Sequence, residues 1–242
     1  MTHPRVACWL MVPVKPFFES KSRLAGVLDS QARAALSRQL LEDVLTRSRE
    51  SGLFAEILVI SRDEAARAIA QAHGVRSLHE SPRRESTLPA TTRQQSTGAH
   101  PITARAQTTA GGSQQIAHVP EATLNQALHA GRDHALAGGA QAILVLPADL
   151  PLLTTQDLAA LVAPLQKRPP PQVIIAPSHD EGTNALLLHP PTIIDFAYGP
   201  QSFARHCALA QAANSTVEIV RSSSLTYDLD LPEDLWGEEL GI

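Results

Sequence analysis

RVACWLMVPV, residues Arg5–Val14, is a short, unbroken apolar run rich in β-formers up to Pro13, and it reads as a buried strand. EILVIS, Glu56–Ser61, is a second strand. Between them a helix fits Ser30 to Ser51, with Leu36, Leu40, Val44 and Leu45 on one face and Gly52 as its stop. Ser61-Arg-Asp-Glu64 has the pattern of a capping box and opens a helix that stops at Gly74. VRSLHE, Val75–Glu80, is a third strand. The order is therefore β-α-β-α-β, which places the chain among α/β proteins with a parallel sheet covered by helices.

Downstream the pattern breaks and then returns. From Ser81 to Ala117 the chain is mostly Thr, Gln, Ser, Ala, Arg, Pro and Gly, with Leu88, Ile102 and Ile116 as its large aliphatics. Such a segment buries too little apolar surface to offset its ordering entropy, so a mobile, low-complexity insertion into one domain of residues 1–242 is expected. Leu124–Ala137 then reads as a helix with Leu124, Leu128 and Leu136 on one side. AILVLPAD, Ala142–Asp149, is the clearest buried strand in the chain. Thr154–Asp157 caps the next helix, which must end before the prolines Pro169–Pro171. Strands follow at Val173–Ser178 and Asn184–Pro190, a helix at Gln201–Ala213 and a strand at Val217–Arg221.

Composition narrows the function classes. Of 242 residues 43% are hydrophobic, enough for a substantial core. The formal charge is −4 and no basic run occurs, which argues against a nucleic-acid groove. The apolar run from Val6 to Val14 is too short to span a bilayer and no small-residue cleavage site follows it, so no membrane is implied and a cytoplasmic location is expected. Cys8 and Cys207 are too few for a disulfide framework or a four-ligand zinc site, and read as small buried residues in a reducing compartment.

In an open parallel sheet ligands bind beyond the carboxyl ends of the strands. Lys15, Lys21 and Arg23 follow the first strand, Asp149 follows the central one, and Asp228 and Asp230 follow the last. Cations neutralise phosphate oxygens and hard carboxylate oxygens hold Mg²⁺, so this set suits a metal-bound polyphosphate attacked at its α-phosphorus. Asp228-Leu-Asp230 has the look of a phosphatase nucleophile pair, but lies at the wrong end of the chain for one. No G-x-x-x-x-G-K-[ST], G-x-G-x-x-G after a strand, H-x-x-x-H or G-x-S-x-G occurs, which removes the anchors of P-loop, Rossmann, zinc-hydrolase and serine-hydrolase readings.

Taken in order, VPVKPFFESKSRL (Val12–Leu24), LNQAL (Leu124–Leu128), LPADLPLL (Leu146–Leu153), DEGTNALLL (Asp180–Leu188), YGPQSFARH (Tyr198–His206) and YDLDLPEDL (Tyr227–Leu235) make the sequence resemble the guanylyltransferases of coenzyme F420 biosynthesis. That family uses 2-phospho-L-lactate, phosphoenolpyruvate or 3-phosphoglycerate as acceptor. The resemblance implies a mixed, mostly parallel sheet flanked by helices, in an α/β sandwich like that of molybdenum-cofactor nucleotidyltransferases. It implies an enzyme that transfers GMP from GTP to a three-carbon phospho-acid with release of pyrophosphate and needs Mg²⁺. Its product would be handed to a deazaflavin-accepting transferase.

On the same resemblance, Lys15, Lys21 and Arg23 form the triphosphate loop, with Asp149 counted alongside them as catalytic. Asp149 and Asp228 are the metal carboxylates, with Asp230 as the alternative second ligand. Thr183, Asn184 and Gly199 to Ser202 form the acceptor pocket, where Thr183, Ser202 and backbone amides can donate to phosphate and carboxylate ahead of a helix N-terminus. Asn125 either helps place the nucleotide or serves the start of its helix. Two departures touch the acceptor: the glycine-rich approach to Thr183 is shortened to His179–Gly182, and Gln201 stands where the family has glycine. Gln201 could hydrogen-bond a hydroxyl, which tilts the expectation toward a hydroxylated acceptor such as 3-phosphoglycerate. Another nucleotidyltransferase of the same fold, of molybdenum-cofactor or sugar-nucleotide type, and a non-catalytic nucleotide-binding module are the rival readings.

Overall fold

The computed structural model describes residues 6–80 and 121–236, with side chains described for 6–80 and 124–235. Seven strands form one sheet: β1 (Cys8–Pro13), β2 (Glu56–Ile60), β3 (Arg76–Leu78), β4 (Ala142–Val145), β5 (Gln172–Pro177), β6 (Thr183–His189) and β7 (Thr216–Ile219), in the order β3-β2-β1-β4-β6-β5-β7. All run parallel except β6, which is antiparallel to both neighbours. The reason is local. Only residues 178–182 separate β5 from β6, and a return in the same direction needs a crossover of about a dozen residues or more.

Both faces of the sheet are covered. Cys8, Leu10 and Val12 of β1 join one apolar cluster and Trp9 and Met11 the other, which is why the strand reads as unbroken apolar rather than alternating. Helices α1 (Ser30–Ser51), α2 (Glu64–Ala72) and α4 (Thr155–Val162) cover the first face through Leu41, Leu45, Ala66, Ala70, Leu158 and Leu161. Helices α3 (Glu121–Ala137) and α6 (Ser202–Ala212) cover the second through Leu128, Ala135 and Ala210. Single turns complete the order: α5 (Pro164–Lys167), α7 (Ser223–Thr226) and 3₁₀ turns at Ser22–Gly26 and Pro232–Trp236. The expected mixed sheet flanked by helices is the fold found. Among the described residues no helix is long and apolar enough to cross a membrane.

Local signals held where they were purely local. Asp29 caps α1 through Ala32 N at 2.7 Å, Gly52 ends it at φ 58°, and Thr154 with Asp157 forms a full capping box on α4. Three expectations are corrected. The cap of α2 is Asp63, not Ser61: its Oδ1 accepts from Ala65 N at 2.9 Å while Oδ2 accepts from Phe17 N at 2.8 Å. The inward face of α3 carries Ala127, Leu128, Gly131 and Ala135, and Leu136 points outward, 39% exposed. Cys207 is half-buried, unlike Cys8. The expected insertion, Ser81–Ala117, lies outside the described residues.

Candidate active site

The parallel strands deliver their carboxyl ends to one edge, and β6, running the other way, brings its first residues there too, with Thr183 in register with Pro177. The loop after β1 leaves under tight control. Val14 N donates to Ile60 O at 2.9 Å, the Phe17 ring is fully buried, and Asp63 holds Phe17 N. Lys15 is left exposed between these anchors, whereas Lys21 turns inward, its side chain 5% exposed.

Lys21 has left-handed backbone angles, φ 54° and ψ 36°, uncommon for a side chain of its size. Its Nζ donates to Asp149 Oδ2 at 3.0 Å and to Asp230 Oδ1 at 3.2 Å. Burial alone would lower the Lys21 pKa, but the charges and hydrogen bonds of these two carboxylates outweigh it and hold the pKa above its ordinary value. Arg23 Nη1 lies 3.3 Å from the other oxygen of Asp230. Asp230 is fixed in turn, since its own amide and that of Leu231 donate to Asp234 Oδ2 at 2.8 and 2.6 Å. The main-chain oxygen of Asp149 accepts from Leu229 N at 3.1 Å, stitching the loop after β4 to the C-terminal segment.

Asp228 lies on the other side of Leu229. Burial and then the negative charge of Asp149 push its carboxyl above the ordinary range, against the opposing pull of Asn184 and His179. Asn184 Nδ2 donates to its Oδ1 at 3.3 Å and to Leu225 O at 2.9 Å, and His179 Nδ1 is 3.2 Å from the same carboxylate oxygen. The charge of Asp149 thus adds to the cost of ionising Asp228, a cost that a divalent cation between them would relieve. Among the described residues no three His, Cys, Asp or Glu side chains converge as a metal cluster. The protein can therefore supply two carboxylates, with phosphate and water completing the shell, which is how Mg²⁺ is commonly held.

Beside this cluster lies a half-open cavity of about 250 Å³, with Lys15, Lys21, Asp149, Arg62 and Glu80 in its lining. On the other side of Asp228 is a hydroxyl relay. The His206 Nε2 accepts from Ala197 N at 3.0 Å, so the neutral ring carries its proton on Nδ1 and donates to Thr183 Oγ1, also at 3.0 Å. Burial, and then the Arg205 charge, lower the His206 pKa to about 4, which keeps the ring neutral. Ser202 Oγ donates to the same Thr183 oxygen at 3.1 Å. With both lone pairs of Thr183 used, its own proton is left to donate.

Sequence reasoning placed Thr183, Asn184 and Ser202 together, and the structure does so. Gly199 (φ 124°) and Gln201 (φ 56°) shape the turn into α6, and the Gln201 side chain is exposed there. The position where the resembling family has glycine is thus a left-handed one, which a β-carbon strains. The start of α6 offers fewer amides than expected, because Ser202 N bonds Gly199 O and Phe203 N bonds Glu181 O. Asn125 makes a contact that neither expected role describes. Its amide donates to Tyr198 O at 3.2 Å and accepts from Tyr198 N at 3.0 Å, pinning the loop that precedes Gly199. His206 and His179 lie within the stretches quoted from the sequence but carried no role there, although His206 follows Ser202 by four residues, one helical turn.

Comparison with known proteins gives concordant matches. A family model described as guanylyl transferase CofC-like matches residues 8–98 and 109–240. Phosphoenolpyruvate guanylyltransferase of Rubrobacter xylanophilus is 35% identical over 230 residues, covering 95% of this chain and 92% of that protein. 3-Phospho-D-glycerate guanylyltransferase of Colwellia psychrerythraea is 35% identical over 112 residues, covering 46% of this chain and 52% of that protein. Among solved structures, a Desulfovibrio desulfuricans protein described as a nucleotide-diphospho-sugar transferase superposes with a TM-score of 0.65. It is 14% identical and covers 95% of this chain and 85% of its own, a likeness of fold.

Proposed function

The chain belongs to the CofC-like guanylyl transferase family, and from that premise we propose that it transfers GMP from GTP to a three-carbon phospho-acid, in coenzyme F420 biosynthesis. The observation that carries the reading is contiguity. Asn184 bonds Asp228 of the carboxylate cluster, and its neighbour Thr183 holds the hydroxyl relay, so charge for a triphosphate and donors for a small anion meet at one strand end.

In this reading Lys15, Lys21 and Arg23 receive the triphosphate, and Asp149 and Asp228 hold Mg²⁺, with Asp230 committed to Lys21 and Arg23. When bound, the metal neutralises phosphate charge and aligns the triphosphate. Thr183 and Ser202 orient the acceptor so that an oxygen of its phosphate faces the α-phosphorus of GTP. A phosphorus–oxygen bond forms there while the bond to the β-phosphate bridging oxygen breaks, and pyrophosphate leaves. The attacking oxygen is already anionic at neutral pH, so no general base is required, and positioning with charge stabilisation carries the rate. Gln201, exposed at the turn into α6, would meet an acceptor hydroxyl in this reading. The product is a phosphoanhydride diester for a deazaflavin-accepting transferase, in a cytoplasmic setting.

The test is pyrophosphate release with Mg²⁺ and each of GTP, ATP, CTP and UTP, against 2-phospholactate, phosphoenolpyruvate and 3-phosphoglycerate. Turnover only with GTP and a phospho-acid is expected. Preference for a pyrimidine nucleotide or a sugar phosphate would move the chain to another transferase of this fold. Equal use of phosphoenolpyruvate and 3-phosphoglycerate, unchanged in Gln201→Gly, would remove Gln201 from acceptor choice.

A further inference from the structure

The strand order β3-β2-β1-β4 lays four loops side by side along the site edge. Asp149 lies beyond β4, Lys15 beyond β1, Arg62 beyond β2 and Glu80 beyond β3. Neighbouring strands are about 4.8 Å apart, so the ends of β4 and β3, from which the Asp149 and Glu80 loops leave, are three spacings, about 14 Å, apart. That is on the scale of a nucleotide stretched from its phosphates to the far edge of its base. The cavity beside Lys21 is lined from all four loops, and besides its charged residues and Ser20 and Ser37 the lining is apolar, with Val14, Leu40, Ile60, Leu124 and Ala127. Apolar walls ending in polar side chains suit a planar heterocycle whose edge must be read.

The polar end has a definite sense. Glu80 is partly buried, and burial raises its carboxyl pKa, opposed by Arg62 and His79 and reinforced by Glu19. Arg62 is itself paired with Glu19. Among the described residues no donor reaches the Glu80 carboxylate. Guanine presents two adjacent donors, N1–H and the 2-amino group, beside the O6 acceptor. Adenine presents a lone pair at N1 beside an amino donor, the reverse arrangement.

We propose that Glu80 is the residue that selects the base, accepting from N1–H and the 2-amino group of guanine, with Arg62 beside it donating to O6. The assignment rests on the guanylyl reading above. It accounts for purine discrimination: a carboxylate rewards guanine with two hydrogen bonds and meets the lone pair of adenine with repulsion.

The experiment compares kcat/KM for GTP, ITP and ATP in the wild type, Glu80→Gln and Glu80→Ala, together with equilibrium binding of GTP and ITP without acceptor. ITP lacks the 2-amino group and isolates one of the two bonds. In Glu80→Ala the GTP-to-ATP preference is expected to fall about 100-fold or more, and the GTP-to-ITP preference to approach unity, with Glu80→Gln between. The binding ratio should move in parallel. Selectivity retained in both variants, or equal losses for all three nucleotides, overturns the Glu80 assignment and leaves guanylyl transfer standing. A wild type that prefers another nucleotide overturns the guanylyl reading itself.

Discussion

Asp149 makes two contacts of different kinds, and they separate catalysis from folding. Its main-chain oxygen holds Leu229, while its carboxylate faces Lys21 and Asp228. Asp149→Ala removes only the second, so turnover should fall by about three orders of magnitude or more with circular dichroism and melting temperature nearly unchanged. Near-wild-type pyrophosphate release in that variant would refute its role. His206 supports a different test. Burial, and then the Arg205 charge, lower its pKa from an ordinary 6.5 to about 4 in the fold. Between those values the unfolded chain takes up a proton that the native state refuses, so acid removes stability, up to roughly 3 kcal/mol by pH 4. His206→Asn keeps a donor for Thr183 but does not titrate. Urea unfolding at pH 7 and pH 4.5 should show a smaller loss in the variant than in the wild type, and equal losses would mean that His206 binds its proton alike in the folded and unfolded chain.

Helix α3 shows why an element can be recognised and still be oriented wrongly. Its leucines suggested the inner face, but the helix lies so close to β1 and β2 that small residues face inward: a β-carbon on Gly131 would come within 2.3 Å of Ile60 Cδ1. Ala127, Gly131 and Ala135, spaced four apart, make that face, and Leu136 is left outside. Just past the helix, a β-carbon on Gly138 would come within 2.4 Å of the Trp9 ring, which is 2% exposed and cannot step aside. Gly138→Ala is therefore expected to cost about 1–3 kcal/mol in chemical denaturation; an unchanged midpoint would show that the helix end can shift. Strands were legible because burial on both faces leaves unbroken apolar runs, and caps such as Thr154 because they are satisfied within four residues. Asp63 over Ser61, the clamp of Asn125 on Tyr198 and the relay from His206 to Thr183 each depend on a partner from a distant segment, which spacing along the chain does not carry. Asp149, Asp228 and Asp230 were legible as strand-end carboxylates, but the division of labour among them was decided by where Lys21 turns.

At the scale of the whole molecule the charge has the wrong sign for its proposed substrates. The chain carries −4, while GTP and a phospho-acid are polyanions, so long-range attraction cannot supply binding. At 0.1 M salt a surface charge is screened beyond about 10 Å. Glu50, in the last turn of α1, and Asp133, in the second half of α3, are exposed toward the edge of the sheet opposite the site. Replacing both by Gln and Asn changes the net charge by two, yet kcat/KM for GTP should stay within about twofold at 0.1 M salt. Lys15→Gln changes it by one in the opposite sense, but at the cavity, and should lower kcat/KM about tenfold or more, with a steeper loss at low salt, where Lys15 is least screened. Steady-state rates at 0.02 and 0.2 M salt separate the cases. A large gain from the remote pair would show that the net field governs encounter. A Lys15 effect no greater than theirs would take that lysine out of the triphosphate loop.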